Sequence, residues 1–383
     1  MPTAPTPERW IEINLDAIVD NARHIRQHLN SETKLLAVVK ANAYGMGAVS
    51  VAKALAPEVD MLAVSTSEEG IELRNNGIKT PVLVFIPPTA HTIEKLIKHD
   101  LTISIDSQET LDLLSTFGAN NHPCHLKINS GMNRLGCSLD KAAVLAYSIH
   151  NSPAAKLDGV YSHLASAADT LAATKQINIF QQALDNITAL EVDYGLAHLA
   201  NSTAILKLGC QFDMVRAGTI LYGQSPIKLP HDWELKNPWK VFCRIVAVRD
   251  VKKGEAIGYG GDFLAKKDLR IGIIPLGYAD GFALEPHTRN GSIGAVFRKG
   301  IRDTARIIAK RPLYYAFYRE QQKIKKIPIV GRIGMQLTAV DLSHCSLNKG
   351  DILQISLRRT SANSRLCRLF LQDGQIVEQQ SIT

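Results

Sequence analysis

The amino-acid sequence predicts an α/β fold in which an N-terminal (β/α)8 barrel of the TIM type is followed by a mainly β domain. The first part of the 383-residue chain alternates short apolar runs with amphipathic stretches, as successive βα units do. Residues suited to catalysis stand where these runs end, and the C-terminal ends of the strands carry the active site in such barrels. After residues 222–223 the pattern changes to strand-like runs without long helices.

Eight apolar runs are candidate barrel strands, and eight runs separated by helices fit a closed barrel better than a small open sheet. The predicted strands are Leu35–Lys40, Met61–Ser65, Val82–Ile86, Thr102–Ile105, His125–Asn129, Gly159–His163, Ala197–Ala200 and Met214–Arg216. The predicted helices are Val51–Leu55, Ser67–Asn75, Thr92–Lys98, Gln108–Phe117, Leu139–His150 and Ala173–Glu191. A further helix is predicted over Ile11–Leu29, because its apolar residues fall on one helical face.

The polar segment Gln224–Pro238 is interpreted as a linker, since it contains three prolines and no apolar periodicity. We therefore predict a barrel domain over residues 1–232 and a mainly β domain over residues 233–383. The predicted strands of the second domain are Val241–Val248, Leu269–Ile274, Arg306–Ile308, Ile327–Val330, Leu337–Leu342 and Ile352–Ile355.

Composition excludes several classes of protein. The chain is 45% hydrophobic and 21% charged, as soluble globular domains are. No apolar run approaches the roughly 18–20 residues that span a bilayer, and residues 1–10 lack the apolar core of a signal peptide. The six cysteines show no CxxC spacing, which argues against a zinc site and a disulfide scaffold. We expect a cytoplasmic protein with no metal and no membrane contact.

The formal net charge is +8, and much of the excess lies between Arg298 and Arg332. A nucleic-acid surface or a subunit contact is one interpretation of this basic stretch. No nucleic-acid-binding motif accompanies it, so we interpret it as a solvated basic insert and expect no nucleic-acid partner.

Lys40 is the first candidate for chemistry, within Ala37-Val-Val-Lys-Ala-Asn-Ala-Tyr-Gly-Met-Gly47. A lone lysine at a strand end is best explained by an aliphatic stem that packs while the amine reaches water. Here Gly45 and Gly47 allow a tight loop with exposed amides before a helix, an arrangement that favours phosphate. A nucleophilic lysine beside a phosphate site is the minimum apparatus for a Schiff base with pyridoxal phosphate.

This string resembles the lysine motif of the alanine racemases, two-domain pyridoxal-phosphate enzymes of fold type III. The resemblance covers roughly Trp10 to Asp351 and implies a homodimeric isomerase that interconverts L- and D-alanine, with D-alanine supplied to peptidoglycan precursors if the source is bacterial. The further matching motifs are Lys127-Ile-Asn-Ser-Gly-Met-Asn-Arg-Leu-Gly136, Ser162-His-Leu-Ala165, Ala200-Asn-Ser202, Asp213-Met-Val-Arg-Ala-Gly218, Gly258-Tyr-Gly260, Gly277-Tyr-Ala-Asp-Gly281 and Val330-Gly-Arg-Ile-Gly-Met335.

Racemisation removes a proton from one face of Cα and returns one to the other, so it calls for two bases. The resemblance implies that Lys40 serves the D-amino acid and Tyr259 the L-amino acid. It also implies that His163 lies near the tyrosine, in a hydrogen-bonded chain reaching Arg216. For His163 alone, a satisfied core histidine is the simpler interpretation.

The resemblance implies that Arg216 faces the pyridine nitrogen of the cofactor, where a fixed cation keeps that nitrogen unprotonated. The ring is then a weaker electron sink, which favours racemisation over transamination. The structural alternative for Arg216 is a salt bridge to Asp213 or another carboxylate.

The remaining roles follow from the resemblance alone. Arg134 and the backbone amide of Met335 would meet the substrate carboxylate, and Lys127 matches a lysine that is often carbamylated. Tyr44, Ser202, Gly218 and Thr219 would hold the phosphate, although Ser202 has the alternative role of a helix cap. Tyr259 and Tyr278 would enter the partner's barrel in a head-to-tail homodimer with composite sites.

Three features depart from the family pattern. Gly334-Met335-Gln336 stands where the family commonly has Cys-Met-Asp, the insert between Asn290 and Lys326 is long, and the C-terminal end is abbreviated. Phe370 stands where a phosphate-binding tyrosine is expected.

Other functions fit parts of the sequence. The altered substrate entrance leaves room for a racemase of serine, lysine or a broader range of amino acids. A non-catalytic pyridoxal-phosphate-binding barrel is a further alternative, but such proteins lack the domain that carries Tyr259. A fold-type III decarboxylase is disfavoured by Arg216, because decarboxylation benefits from a stronger electron sink.

Overall fold

The structure is a computed structural model that describes residues 7–209, 211–261, 263–284, 300, 314–321 and 323–380. It divides into two compact units, one formed by Asn14–Pro238 and the other by residues 7–13 together with the described residues from Trp239 onward. The boundary that we predict at residues 232 and 233 stays a prediction. The segment before it is anchored in the first unit, where the side chain of Asn21 bonds to both the N–H and the carbonyl of Lys236 at 2.8 Å.

The first unit contains the predicted (β/α)8 barrel. Its strands are β2 Lys34–Val38, β3 Met61–Val64, β4 Val82–Val84, β5 Thr102–Ile105, β6 His122–Lys127, β7 Ala155–Tyr161, β8 Leu196–His198 and β9 Met214–Ala217. They form an eight-stranded parallel sheet in the order β8-β7-β6-β5-β4-β3-β2-β9. The two ends of this sheet meet where the N–H of Asp213 donates to the carbonyl of Ala197 at 3.0 Å.

Helices alternate with these strands, as expected for βα units. They are α1 Leu15–Gln27, α2 Lys40–Gly45, α3 Ala48–Leu55, α4 Ser67–Asn75, α5 Ile93–Lys98, α6 Gln108–Thr116, α7 Leu139–His150, α8 Thr170–Thr188 and α9 Ser202–Lys207. The strands β3, β4 and β5 are buried along their whole length, which is typical of parallel strands covered by helices. No helix in the part of the chain that the structure describes is long and apolar enough to cross a membrane.

The beginning of the chain differs from the prediction of one helix over Ile11–Leu29. Residues Arg9–Asn14 form strand β1, and α1 begins only at Leu15. The side-chain oxygen of Asn14 accepts a hydrogen bond from the N–H of Ala17 at 2.8 Å, and this cap fixes the start of the helix. Ile11 and Ile13 are fully buried on alternate positions of β1, which is the period of a strand.

The second unit is mainly β, as predicted. Its strands are β1, β10 Trp239–Arg244, β11 Ala247–Val251, β12 Leu269–Ile274, β13 Tyr315–Glu320, β14 Lys323–Val330, β15 Thr338–Asp341, β16 Ile352–Ile355, β17 Cys367–Gln372 and β18 Gln375–Gln380. They form a ten-stranded sheet in the order β11-β12-β15-β14-β13-β16-β10-β1-β17-β18. The predicted run Val241–Val248 is divided between β10 and β11, which pair with different neighbours. The predicted strand Arg306–Ile308 lies outside the described residues.

Candidate active site

A cavity of about 530 Å³ lies at the C-terminal ends of the barrel strands. Four basic side chains line it (Lys40, Lys127, Arg134 and Arg216), and none of the described residues that line it is Asp or Glu. A cavity with this charge attracts anions. Within the described ranges, no group of three or more His, Cys, Asp or Glu side chains is arranged to hold a metal ion.

Lys40 enters this cavity from an unusual backbone turn. Strand β2 ends at Val38, and the residues Ala41–Tyr44 within α2 are all left-handed, with φ between 51° and 56°. This conformation costs an L-residue roughly 1–2 kcal/mol, so four in succession need strong support from their surroundings. The N–H of Ala43 donates to the carbonyl of Val39 at 2.8 Å, and the N–H of Ala41 donates to Glu69 Oε1 at 2.5 Å.

The surroundings of the Lys40 amine favour its neutral, nucleophilic form. Burial lowers its pKa, and the positive charges of Arg134 and Arg216 lower it further, while Glu69 acts in the opposite direction. A lysine with a lowered pKa is neutral more often at physiological pH, and the neutral amine is the form that attacks a carbonyl group.

The loop containing Gly45 and Gly47 does not offer the free amides that the sequence predicts. The N–H groups of Gly47 and Ala48 donate to the backbone and side-chain oxygens of Asn42, at 3.0 and 2.7 Å respectively. These bonds stabilise the end of the left-handed turn. An anion site must therefore be sought at the other residues that line the cavity.

Tyr44, Ser202 and Gly218 lie together in the lining of this cavity. A Cβ atom on Gly218 would lie 2.6 Å from the Tyr44 hydroxyl, so only glycine leaves room for the phenol here. The Ser202 hydroxyl accepts from the N–H of Gly218 at 3.0 Å and keeps its own hydrogen available for a ligand. Asn201 caps α9 instead of Ser202, so the alternative role for the serine does not apply. Thr219 also lines the cavity.

Arg216 is 3% exposed, and its guanidinium is held by backbone carbonyls. It donates to the carbonyl oxygens of Ser162, His198 and Leu199 at 2.6, 2.8 and 3.0 Å. Among the described residues no carboxylate forms an ion pair with it, and Asp213 instead accepts from a backbone N–H of β8. The salt-bridge alternative for Arg216 is therefore wrong. Burial lowers its pKa to about 10, so it keeps its charge at neutral pH.

A chain of neutral histidines surrounds this charge. Arg216 Nη1 lies 3.0 Å from Nδ1 of His198, and Nε2 of His198 lies 2.8 Å from Nδ1 of His125. Arg216 Nη2 lies 3.3 Å from Nδ1 of His163. Burial lowers the pKa of His125 and of His163 to about 3, and that of His198 well below its ordinary value. Each ring is thus neutral at pH 7.

The resemblance implies the hydrogen-bonded chain that joins His163 to Arg216, but it does not indicate His125 or His198. Both lie within apolar barrel runs, at strand positions that are completely buried in the structure. A polar residue inside an otherwise apolar strand was the available signal, because such a side chain requires a buried partner.

Lys127 is a second amine with altered acidity. Its Nζ donates to the carbonyl of Phe85 at 3.0 Å and lies 5.2 Å from the centre of the Tyr161 ring. Burial, followed by the charges of Arg216 and Arg134, lowers the pKa of Lys127 to about 8. The neutral form required for reaction with carbon dioxide is then far more populated near neutral pH than in an ordinary lysine.

The other predicted residues lie in the second unit and are exposed. Tyr259 is 74% exposed in a short 3-10 turn, Tyr278 46% and Met335 58%. The N–H of Tyr278 donates to the carbonyl of Gly334 at 3.1 Å, which joins the loops of Tyr278 and Met335. Gly277 permits this approach, because a Cβ there would lie 2.2 Å from the Gly334 oxygen. Phe370 is fully buried in β17.

Comparisons with known proteins agree with this arrangement. Residues 13–226 match the family described as "Alanine racemase, N-terminal domain", and residues 239–308 match "Alanine racemase, C-terminal domain". The chain is 35% identical over 344 residues to alanine racemase 1 of Caldanaerobacter subterraneus subsp. tengcongensis, with 87% of this chain and 81% of that protein covered. It is 33% identical over 355 residues to a serine/alanine racemase of Enterococcus gallinarum, with 90% and 46% covered.

The fold is also similar to a solved structure of alanine racemase from Clostridium difficile 630, with a TM-score of 0.84, 27% identity and 99% of each chain covered. The N-terminal family match alone spans more than half of the sequence. The chain therefore belongs to the alanine racemase family.

Proposed function

We propose that this chain interconverts L- and D-alanine with pyridoxal phosphate as cofactor. The observation that carries the proposal is the pairing, in one cavity, of a lysine whose pKa is lowered with a buried arginine that forms no ion pair with a carboxylate of the described residues. The lysine supplies the attachment for an aldehyde. The arginine supplies a fixed charge that distinguishes racemisation from most other chemistry of the same cofactor.

The residues present fit this cofactor. Tyr44, Ser202 and Thr219 provide hydroxyl groups in the cavity lining, and a Cβ atom at Gly218 would crowd the Tyr44 hydroxyl. The cationic lining suits the phosphate and the substrate carboxylate. When bound, pyridoxal phosphate supplies the electron sink that acidifies the Cα–H bond of the amino acid.

Arg216 offers only N–H donors, so it would hold a ring nitrogen in its unprotonated, accepting form. That arrangement weakens electron withdrawal and favours the return of the proton to the substrate carbon. The neutral rings of His163 and His198 keep the guanidinium in place without neutralising its charge.

Lys40 and Tyr259 are proposed as the two bases, acting on the D- and the L-amino acid respectively. Arg134 and the backbone N–H of Met335 would orient the substrate carboxylate, with Arg134 held by a carbamylated Lys127. The exposure of Tyr259, Tyr278 and Met335 supports a head-to-tail homodimer, in which Tyr259 and Tyr278 of the partner subunit complete each barrel site. We further propose a cytoplasmic enzyme that supplies D-alanine for peptidoglycan precursors.

The purified protein is expected to show the visible absorption of a lysine-bound cofactor and to form D-alanine from L-alanine. Lys40→Ala should lose both, whereas Lys53→Ala, on the exposed face of α3, should lose neither. A bound cofactor without racemisation of any amino acid would favour the non-catalytic barrel. Faster turnover of serine or lysine than of alanine would redefine the substrate.

A further inference from the structure

Glu69 connects the end of β3 with the turn that carries Lys40. Its Oε1 accepts from the N–H of Ala41 at 2.5 Å, and its Oε2 accepts from the N–H groups of Ser65 and Thr66 at 2.8 and 3.2 Å. One carboxylate therefore accepts from backbone donors in the segments that follow two adjacent barrel strands, β2 and β3.

Part of this arrangement is an ordinary helix cap. Thr66 and Glu69 form a capping box at the start of α4, in which each side chain bonds to the backbone of the other residue. A capping box requires no contact outside its own helix. The bond to Ala41 is additional, and it reaches the residue directly after Lys40.

Ala41 is also the first of the left-handed residues. The turn is unfavourable for non-glycine residues, so it persists only while other groups hold its polar atoms. At the end of the turn away from Lys40, the side-chain oxygen of Asn42 accepts from the N–H of Ala48. At the end next to Lys40, the carboxylate of Glu69 accepts from the N–H of Ala41. Removal of the carboxylate frees the end of the turn that adjoins Lys40.

Glu69 also acts on the charge of the amine. Its carboxylate raises the pKa of Lys40, against the lowering caused by burial and by Arg134. Glu69 is not among the described residues that line the cavity, so its carboxylate acts from just outside the lining.

We propose that Glu69 is a positioning residue for Lys40. Glu69 holds the left-handed turn in place, and its negative charge partly offsets the positive charges of the cavity at the Lys40 amine. This inference rests on the proposed role of Lys40 and extends it to a residue that does not line the cavity. It makes Glu69 the link between the first two βα units of the barrel at the point where the chemistry would occur.

The test uses the full-length chain, as purified and after removal of bound cofactor, with three variants. Glu69→Ala removes both the contact and the charge, and Glu69→Gln keeps an oxygen that can accept from Ala41. Thr66→Ala weakens the helix cap but leaves the bond to Ala41. Amide hydrogen exchange in residues 40–47 reports the turn, and the pH profile of Lys40 acetylation reports the amine. Glu68→Gln, in which a neighbouring exposed carboxylate is neutralised, is the charge control.

Glu69→Ala is expected to lose exchange protection in residues 40–47, and Thr66→Ala to retain it. Glu69→Gln should retain that protection and shift the midpoint of Lys40 acetylation to lower pH, while Glu68→Gln leaves the midpoint unchanged. Equal exchange in Glu69→Ala and Thr66→Ala would reduce Glu69 to a helix cap and overturn the proposal, as would an unshifted midpoint in Glu69→Gln. Neither readout needs turnover, so a failure of the proposed racemase activity would be recognised separately.

Discussion

Arg216 and His198 share two hydrogen bonds: Nη1 of the arginine donates to the carbonyl oxygen of His198 at 2.8 Å and to its ring Nδ1 at 3.0 Å. Because a guanidinium has no acceptor, the ring must carry its hydrogen on Nε2, where it donates to His125. The buried charge is thus surrounded by carbonyl dipoles and neutral imidazoles. It remains a pure donor toward the cavity.

Arg216→Leu should lower both the stability and the cofactor affinity. The carbonyls of Ser162, His198 and Leu199 lose their donor, and the loss of unfolding free energy is expected to be about 3 kcal/mol or more. Arg74→Leu is the matched control, because Arg74 also donates to several carbonyls but does not line the cavity. Urea unfolding and pyridoxal-phosphate titration would distinguish the two; an equal loss of cofactor affinity in both variants would contradict a role for Arg216 in the site.

Gly218→Ala should weaken cofactor binding by about 1–3 kcal/mol, since its Cβ would stand 2.6 Å from the Tyr44 hydroxyl. Tyr44→Phe alone should cost about 1 kcal/mol through the lost hydroxyl. The double variant removes the clash, so its affinity should exceed that of Gly218→Ala. Additive losses in this double-mutant cycle would show that the two residues act independently.

The buried histidines should make stability depend on pH. The pKa of His125 is lowered from 6.5 to about 3, so the unfolded chain binds the proton more readily. The stability that the neutral His125 ring contributes is complete above pH 6.5 and is lost as the pH falls toward 3. Over that range the free energy of unfolding changes by up to about 1.4 kcal/mol per pH unit. His125→Asn should make the measured slope between pH 4 and 6 shallower by roughly that amount. His150→Asn, at an exposed position, should not, and equal slopes in all three proteins would argue against a buried neutral His125.

The proposed homodimer with composite sites predicts complementation between inactive variants. Lys40→Ala and Tyr259→Phe each damage every site of their own homodimer. A mixed dimer has one site in which both residues are intact, so unfolding and refolding the mixture should restore racemase activity that neither variant has alone. Activity that stays at the level of the separate variants, although mixed dimers form, would place both bases in one chain.

Periodicity predicts the barrel well because strand burial there is nearly complete. The barrel strand Thr102–Ile105 has the same bounds in the sequence and the structure, and so does Leu269–Ile274 in the second unit. The strand Gln375–Gln380 was not predicted, since its mainly polar, exposed residues lack an apolar run. At the start of the chain, the predicted helix includes residues 11–14 of strand β1, because the apolar pattern alone does not show that Asn14 caps the helix.

The residues of the candidate site also differ in whether the sequence predicts them. Lys40, Tyr44, Arg134 and Arg216 were found through motifs, and the structure places all four around one cavity. The left-handed turn and its bond to Glu69 depend on contacts between residues 28 positions apart, which local sequence patterns do not encode. The pairing of His125 with His198 is similarly a consequence of barrel closure.

The central claim is that two different bases serve the two faces of the substrate. The most direct measurement is the rate at which Tyr259→Phe exchanges the α-hydrogen of L-alanine and of D-alanine with deuterium from solvent, relative to the unaltered chain. We expect exchange from L-alanine to fall far more than exchange from D-alanine, because Lys40 still removes the proton of the D-enantiomer. Equal reductions for both enantiomers would contradict it.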